Sequence, residues 1–177
     1  MQAAKGAYVA LLDHDDVLTE DALYWVVDAL QRERYDVVYS DEDRMAENGS
    51  HYLEPRFKPE FDIDLLRAYN YISHLFVARR ELMLADGGFH SQYDGAQGYD
   101  MILRCCEGNR EICHIPRVLY HKRIHDGTSS EREAKHAQEN LAGKEALEAH
   151  VSREHLLARV MMTDQRSVYT VKYDTPG

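Results

Sequence analysis

The sequence predicts an α/β fold built on an open sheet, and three observations carry that prediction. Ala7-Tyr8-Val9-Ala10-Leu11-Leu12 is a short apolar run that ends abruptly in Asp13, Asp15 and Asp16, the pattern of a buried strand whose C-terminal end carries ligands. Further short apolar runs alternate along the chain with stretches of helical period. With 177 residues, 44% of them hydrophobic and 29% charged, the chain fits one globular domain with a core of its own.

After the first strand, Thr19-Glu20-Asp21 opens a helix over residues 20–32. Thr19 can accept a bond from a free backbone N–H, and Glu20 and Asp21 suit the positive end of the helix dipole. Ala22, Leu23, Val26, Val27 and Leu30 form its apolar stripe. Residues 36–40 make a second strand that runs into Asp41-Glu42-Asp43. Asn48-Gly49 is a hairpin turn signal, so residues 41–54 form a small excursion, and Pro55 and Pro59 then impose extended chain. A short helix over 62–68, a strand over 74–78 and a helix over 80–86 follow, the last stopped by Gly87-Gly88. Residues 87–98, with Gly87, Gly88, Gly95 and Gly98, are a loop of a length that is often functional. A helix over 99–107, a strand over 117–121 and a turn over 126–130 lead to a long polar helix over 131–153. Two strands, 156–163 and 166–173, close the chain around Asp164-Gln165.

The net charge of -10 argues against nucleic-acid binding and against a membrane surface held by basic patches, both of which need a cationic face. Cys105, Cys106 and Cys113 give no disulfide framework and no zinc spacing. They suit a reduced, cytosolic setting, peripheral association with the inner membrane face being the alternative. No apolar stretch reaches the 18 residues of a membrane span, and residues 1–6 lack a signal-peptide core.

Asp13, Asp15 and Asp16 are the main chemical signal. Three carboxylates this close repel one another unless a cation or a shift in protonation relieves them. Oxygen ligands at a strand end suit Mn²⁺ or Mg²⁺ and, through the cation, a phosphate. The competing reading is that they merely lead into the next helix. Capping, however, uses residues 19–21 and leaves the three carboxylates unexplained.

Five segments in order resemble the glycosyltransferases of family 2. They are Gly6–Asp16 with Leu18-Thr19-Glu20-Asp21-Ala22-Leu23, then Tyr39-Ser40-Asp41-Glu42-Asp43, Asn70-Tyr71-Ile72-Ser73-His74-Leu75, Gly87-Gly88-Phe89, and Val118-Leu119-Tyr120-His121-Lys122-Arg123-Ile124-His125. Bacterial enzymes of O-antigen and surface-polysaccharide synthesis are the most similar. The resemblance implies a GT-A fold, a Rossmann-like α/β sandwich, and transfer of a sugar from a nucleotide diphosphate sugar to a hydroxyl of a glycan or lipid-linked glycan. The family's Asp-x-Asp motif falls on Asp13-His14-Asp15. Asp13, Asp15 and Asp16 are then the donor side, Asp15 binds the metal, and His121 or His125 supplies a further ligand. Tyr71, His74 and Gln97 fall where the family shapes its acceptor site, and Phe89 and Tyr93 are candidates to stack on a sugar face.

Two departures accompany the resemblance. Gly98 stands where inverting members carry the aspartate that acts as general base, which leaves Asp100 or Asp94 as stand-ins or the protein impaired. The family's first nucleotide-binding strands are also absent ahead of Met1. The chain therefore reads as a truncated domain: residues 1–60 as the donor and metal part, 61–130 as the acceptor and catalytic part, 131–177 as a C-terminal helix and strand pair. An apolar sheet edge exposed in this way invites self-association. Thr175-Pro176-Gly177 resembles the Pro-rich end that a second glycosyltransferase domain can follow in similar proteins. The rival readings are a non-catalytic remnant serving in assembly and a Mg²⁺-dependent phosphatase of the haloacid dehalogenase type. In the latter Asp13 would be the nucleophile and Asp15 the acid/base. Asp16 occupies the position where that family has glycine, and its later metal motif is missing.

Overall fold

The computed structural model describes residues 2–85, 87–124 and 129–174, with the side chains of 129–135 left aside. The elements in order are β1 (Tyr8–Leu11), β2 (Val17–Leu18), α1 (Ala22–Arg32), β3 (Val37–Met45), β4 (Tyr52–Arg56), α2 (Ile63–Ala68), β5 (Phe76–Arg79), α3 (Arg80–Ala85), α4 (Gln97–Cys105), β6 (Ile112–Arg123), α5 (Ser129–Arg153), β7 (Ala158–Met162) and β8 (Tyr169–Tyr173). One 3₁₀ turn, Ser91–Tyr93, lies between α3 and α4.

Six strands form one mixed sheet in the order β1-β5-β3-β6-β2, with β4 joined to β3, while β7 and β8 pair apart from it. β3 and β6 run parallel, and the other pairings are antiparallel. β1 lies at one end of the sheet with β5 as its partner.

The strand period of two decides what covers each face. From β3 and β5, Val37, Tyr39, Phe76 and Ala78 enter a core with α2, α4 and α5. Val38, Leu75 and Val77 point the other way, against Ala22, Val26 and Ala29 of α1. The sheet is thus sandwiched between helices, as an α/β sequence requires.

Three expectations from sequence change here. β3 runs on to Met45, so Asp41, Glu42 and Asp43 are buried strand residues and the excursion begins after them, not at residue 41. β6 starts at Ile112, five residues early, because Ile112 to Ile115 already pair with Val37 to Ser40 of β3, and the register then shifts between Ser40 and Asp41. That irregularity falls at Pro116, which has no N–H to give the ladder. At α1, Thr19 does not cap. Its hydroxyl donates to Asp21 (2.8 Å), and Asp21 also accepts from the Trp25 indole (2.8 Å).

Candidate functional site

β1 delivers its acids to a turn in which the Asp16 N–H bonds the Asp13 carbonyl at 3.3 Å. Tyr120 of β6 fixes both ends of that turn. Its hydroxyl accepts from the Asp13 N–H (3.2 Å) and donates to Asp16 Oδ2 (2.6 Å). Burial first, then the Asp16 bond, raise the phenol far above its usual range, so it stays a donor. The Arg123 N–H donates to Asp16 Oδ1 (2.8 Å), and the Arg123 guanidinium to the Asp15 carbonyl (2.7 Å).

His74 meets these acids from just before β5. Ligand atoms of Asp13, Asp16 and His74 all lie within 4.8 Å of one another. The imidazole stacks on the Tyr120 ring with centroids 4.6 Å apart. Burial, then the Lys122 and Lys58 charges, push its pKa from 6.5 down to about 3, so it is a neutral nitrogen ligand at neutral pH. Lys122 Nζ approaches His74 Nε2 at 3.4 Å.

The backbone under His74 is held by a buried ion pair. Lys58 Nζ donates to Glu42 (3.2 Å), to the Ile72 carbonyl (2.6 Å) and to the His74 carbonyl. Glu42 in turn accepts from the His74 N–H at 3.2 Å. Burial lowers the Lys58 pKa against the pull of Glu42. Each buried acid of β3 has such a partner: Asp41 pairs with His114 (2.8 Å) and the Lys58 N–H (2.9 Å), Asp43 with His121 Nδ1 (2.6 Å).

A cleft of about 860 Å³ opens beside the trio. Asp13, His74, Lys122 and Phe89 line it with Gln97 and Gly98, and α5 and β8 close the far wall through Glu139, Gly143 and Tyr169. Gly98 faces open space, with nothing within 4 Å of where a Cβ would stand. A smaller cavity of about 300 Å³ lies under α1, where the Arg117 guanidinium sits 3.7 Å above the Trp25 ring, away from these acids.

Asp13, His74, Phe89 and Gln97 line this cleft, Asp16 adjoins it beside Asp13 and His74, and the other sequence candidates lie elsewhere. Asp15 lies on the same turn outside the close trio, 3.8 Å from His14. His121 is buried between Asp43 and the stacked Tyr52 ring (4.0 Å). His125 falls outside the described residues. Tyr71 packs in the core, its hydroxyl accepting from the Asp62 N–H at 2.9 Å, and Tyr93 is buried too. Asp94 is exposed and does not line the cleft. Asp100 is fully buried, and its Oδ2 accepts from Arg104 (2.8 and 3.0 Å) beside His90 at 3.2 Å. Arg104 also donates to the Gly88 carbonyl (2.6 Å), so Asp100 anchors the loop to α4.

Sequence reasoning missed Tyr120, Lys58 and Glu42, which position the site without lining the trio. Tyr120 was findable, since it precedes His121 in a strand already read.

Comparison with known proteins follows this geometry. Residues 1–85 match the model of glycosyl transferase family 2. The chain is similar to the O-antigen biosynthesis protein RfbC of Myxococcus xanthus, 37% identical over 177 residues, covering 99% of this chain and 14% of that protein. It is 42% identical over 156 residues to the uncharacterized protein y4gI of Sinorhizobium fredii, covering 86% of this chain and 17% of that one. The chain thus spans less than a fifth of the length of either relative. Its fold is similar to that of S. aureus TarS 1-349 solved with UDP-GlcNAc, with TM-score 0.55 at 18% identity, covering 80% of this chain and 43% of that one. The family match covers the Asp13-His14-Asp15 stretch and assigns it to a glycosyltransferase, not to a phosphatase. Residues 1–85, which carry the Asp13-His14-Asp15 motif, belong to glycosyl transferase family 2.

Proposed function

We propose that this domain binds a nucleotide diphosphate sugar through a divalent cation and transfers the sugar to a glycan or lipid-linked glycan in bacterial surface-polysaccharide synthesis. One observation carries the reading: two carboxylates and a neutral imidazole converge at the end of β1, at the mouth of the cleft. This donor set suits Mn²⁺, with Mg²⁺ the weaker fit because of the nitrogen. Asp13, Asp16 and His74 would hold the cation. When bound, it neutralises charge on the departing diphosphate. Tyr120 keeps Asp16 oriented, and the Lys58–Glu42 pair fixes the backbone that carries His74. Relatives of the chain support the substrate class, among them a protein named for O-antigen biosynthesis and a chondroitin synthase of Pasteurella multocida, 26% identical over 128 residues. The open side of β1 is the expected place for self-association.

Calorimetric titration with UDP, GDP and dTDP, with and without Mn²⁺, tests the reading. Cation-dependent binding of one nucleotide is the expected result; a folded protein that binds none of them contradicts it.

A second reading, a domain with impaired turnover, is favoured by the cleft wall at Gly98. The general base on this loop would be Asp94, which is exposed, since Asp100 is committed to Arg104. Gly98→Asp puts a carboxylate into open space. Faster sugar transfer in that variant supports impairment, and unchanged transfer speaks for a base elsewhere.

A further inference from the structure

A second cavity, about 640 Å³, adjoins the cleft and shares Asn70, Lys122, Arg166 and Ser167 with it. Its volume is within the usual range for small-molecule sites, roughly 300–1,000 Å³. In a chain of net charge -10, its walls carry Arg44, Arg56, Lys122, Arg123 and Arg166 against the single acid Glu42.

Internal pairing does not use up this charge. Glu42 is buried and already bonded to Lys58, with Arg56 at 3.7 Å. Arg44 pairs with Glu54 (3.0 Å) and Arg166 with Glu139 (2.7 Å). Among the described residues Lys122 and Arg123 have no carboxylate partner. Lys122 bonds only the neutral His74, and the Arg123 side chain is held by the Asp15 and Glu47 carbonyls (2.7 and 2.6 Å). Arg44 of β3 also stands in register with Lys122 of β6. Like charges on neighbouring strands cost stability, so folding alone does not account for the arrangement.

Resting on the transferase reading above, we propose that the acceptor is an acidic glycan, whose carboxylate or phosphate groups seat in this basic cavity while its reacting hydroxyl reaches the cleft. Arg44, Arg56 and Arg123 line the second cavity and not the cleft that holds Asp13, whereas Lys122 and Arg166 line both. That placement fits an acceptor chain better than the donor diphosphate.

The test compares binding of oligogalacturonate (carboxylate), oligo(glycerol phosphate) (phosphate), a dextran oligosaccharide (neutral) and oligo(U), each in the presence of UDP and Mn²⁺. The expected result is that one acidic glycan binds about tenfold or more tighter than dextran, a difference of about 1.4 kcal/mol. Arg44→Gln/Arg56→Gln should remove most of that preference while UDP–Mn²⁺ affinity stays within about twofold. Arg44→Gln alone supplies the same readout if the double variant does not fold. Equal binding of dextran and the acidic glycans overturns the proposal. So does tightest binding of oligo(U), or a double variant that loses UDP–Mn²⁺ affinity instead. A wild-type protein that binds no UDP–Mn²⁺ fails the donor reading itself, which is a separate outcome.

Discussion

Two polar clusters in this chain are built from the same residue types and are closed in different ways. Around Glu107, positive and negative groups satisfy one another. Its carboxylate accepts from His150 Nδ1 (2.9 Å) and from Arg153 (2.7 and 2.9 Å). His150 Nε2 accepts from Arg67 (3.1 Å), and Arg67 donates on to Asp64 and Tyr173 (3.0 Å each). The Arg67 bond obliges the His150 proton to sit on Nδ1, where Glu107 takes it. The result ties α2, α4, α5 and β8 together. At the end of β1, by contrast, the Asp16 carboxylate accepts from the Tyr120 hydroxyl and the Arg123 N–H, and Asp13 gives its own N–H to the same hydroxyl. No Lys or Arg side chain pairs with either carboxylate among the described residues. A cluster compensated from within is a brace. One left with excess negative charge beside a neutral imidazole suits the cation proposed above.

Substitutions should separate the two kinds of cluster. The largest effect belongs to a brace. Asp100→Ala leaves the buried Arg104 without its carboxylate and should cost about 3–5 kcal/mol in urea unfolding. A loss below about 1 kcal/mol would mean that Asp100 is not structural. Next comes the open cluster: Asp16→Asn should weaken Mn²⁺–UDP binding about a hundredfold, with unfolding stability changed by about 0.5 kcal/mol or less. If stability falls and binding holds, the comparison drawn above is wrong.

Acid should distinguish the clusters as well. Burial drives the Glu107 carboxyl upward, but the His150 and Arg153 bonds outweigh it and leave the group below its ordinary 4.5. A carboxylate lowered on folding adds stability above 4.5 that is lost as pH falls through the folded value. Glu107→Gln should therefore cost about 1–2 kcal/mol at pH 7 and flatten the acid limb of a melting-temperature profile. His74 acts in the same direction, since its depressed value of about 3 means that stability falls as pH drops from 6.5. The smallest effect is expected of Tyr120→Phe. Among the described residues its hydroxyl touches only the Asp13 N–H and Asp16 Oδ2, so its loss should weaken cation binding about tenfold without altering which nucleotide is preferred.

What could be read from the sequence was what local pattern determines. The Ala7–Leu12 run and its acidic end are properties of neighbouring residues and appear as β1 and its turn, although β1 is half-buried with Leu12 exposed. Of the α1 stripe Ala22 and Val26 are buried, whereas Leu23 and Val27 face out because the helix meets the sheet through Ala22, Val26 and Ala29. The burial of Asp41, Glu42 and Asp43 was not legible. It depends on His114, Lys58 and His121, between 16 and 78 positions away. The same is true of His74, which sequence order assigned to the acceptor side. Its meeting with Asp13 and Asp16 arises because β1 and β5 are adjacent and antiparallel. Asp100 shows the converse: a carboxylate in a promising loop that the fold buries against Arg104.

The central claim is that Asp13, Asp16 and His74, and not Asp15 with His121, hold the cation. Pulsed electron paramagnetic resonance of the Mn²⁺–UDP complex detects a coordinated imidazole nitrogen directly. The account predicts a nitrogen signal in the wild-type protein that persists in His121→Gln and disappears in His74→Gln. A signal that survives in His74→Gln and vanishes in His121→Gln would contradict it.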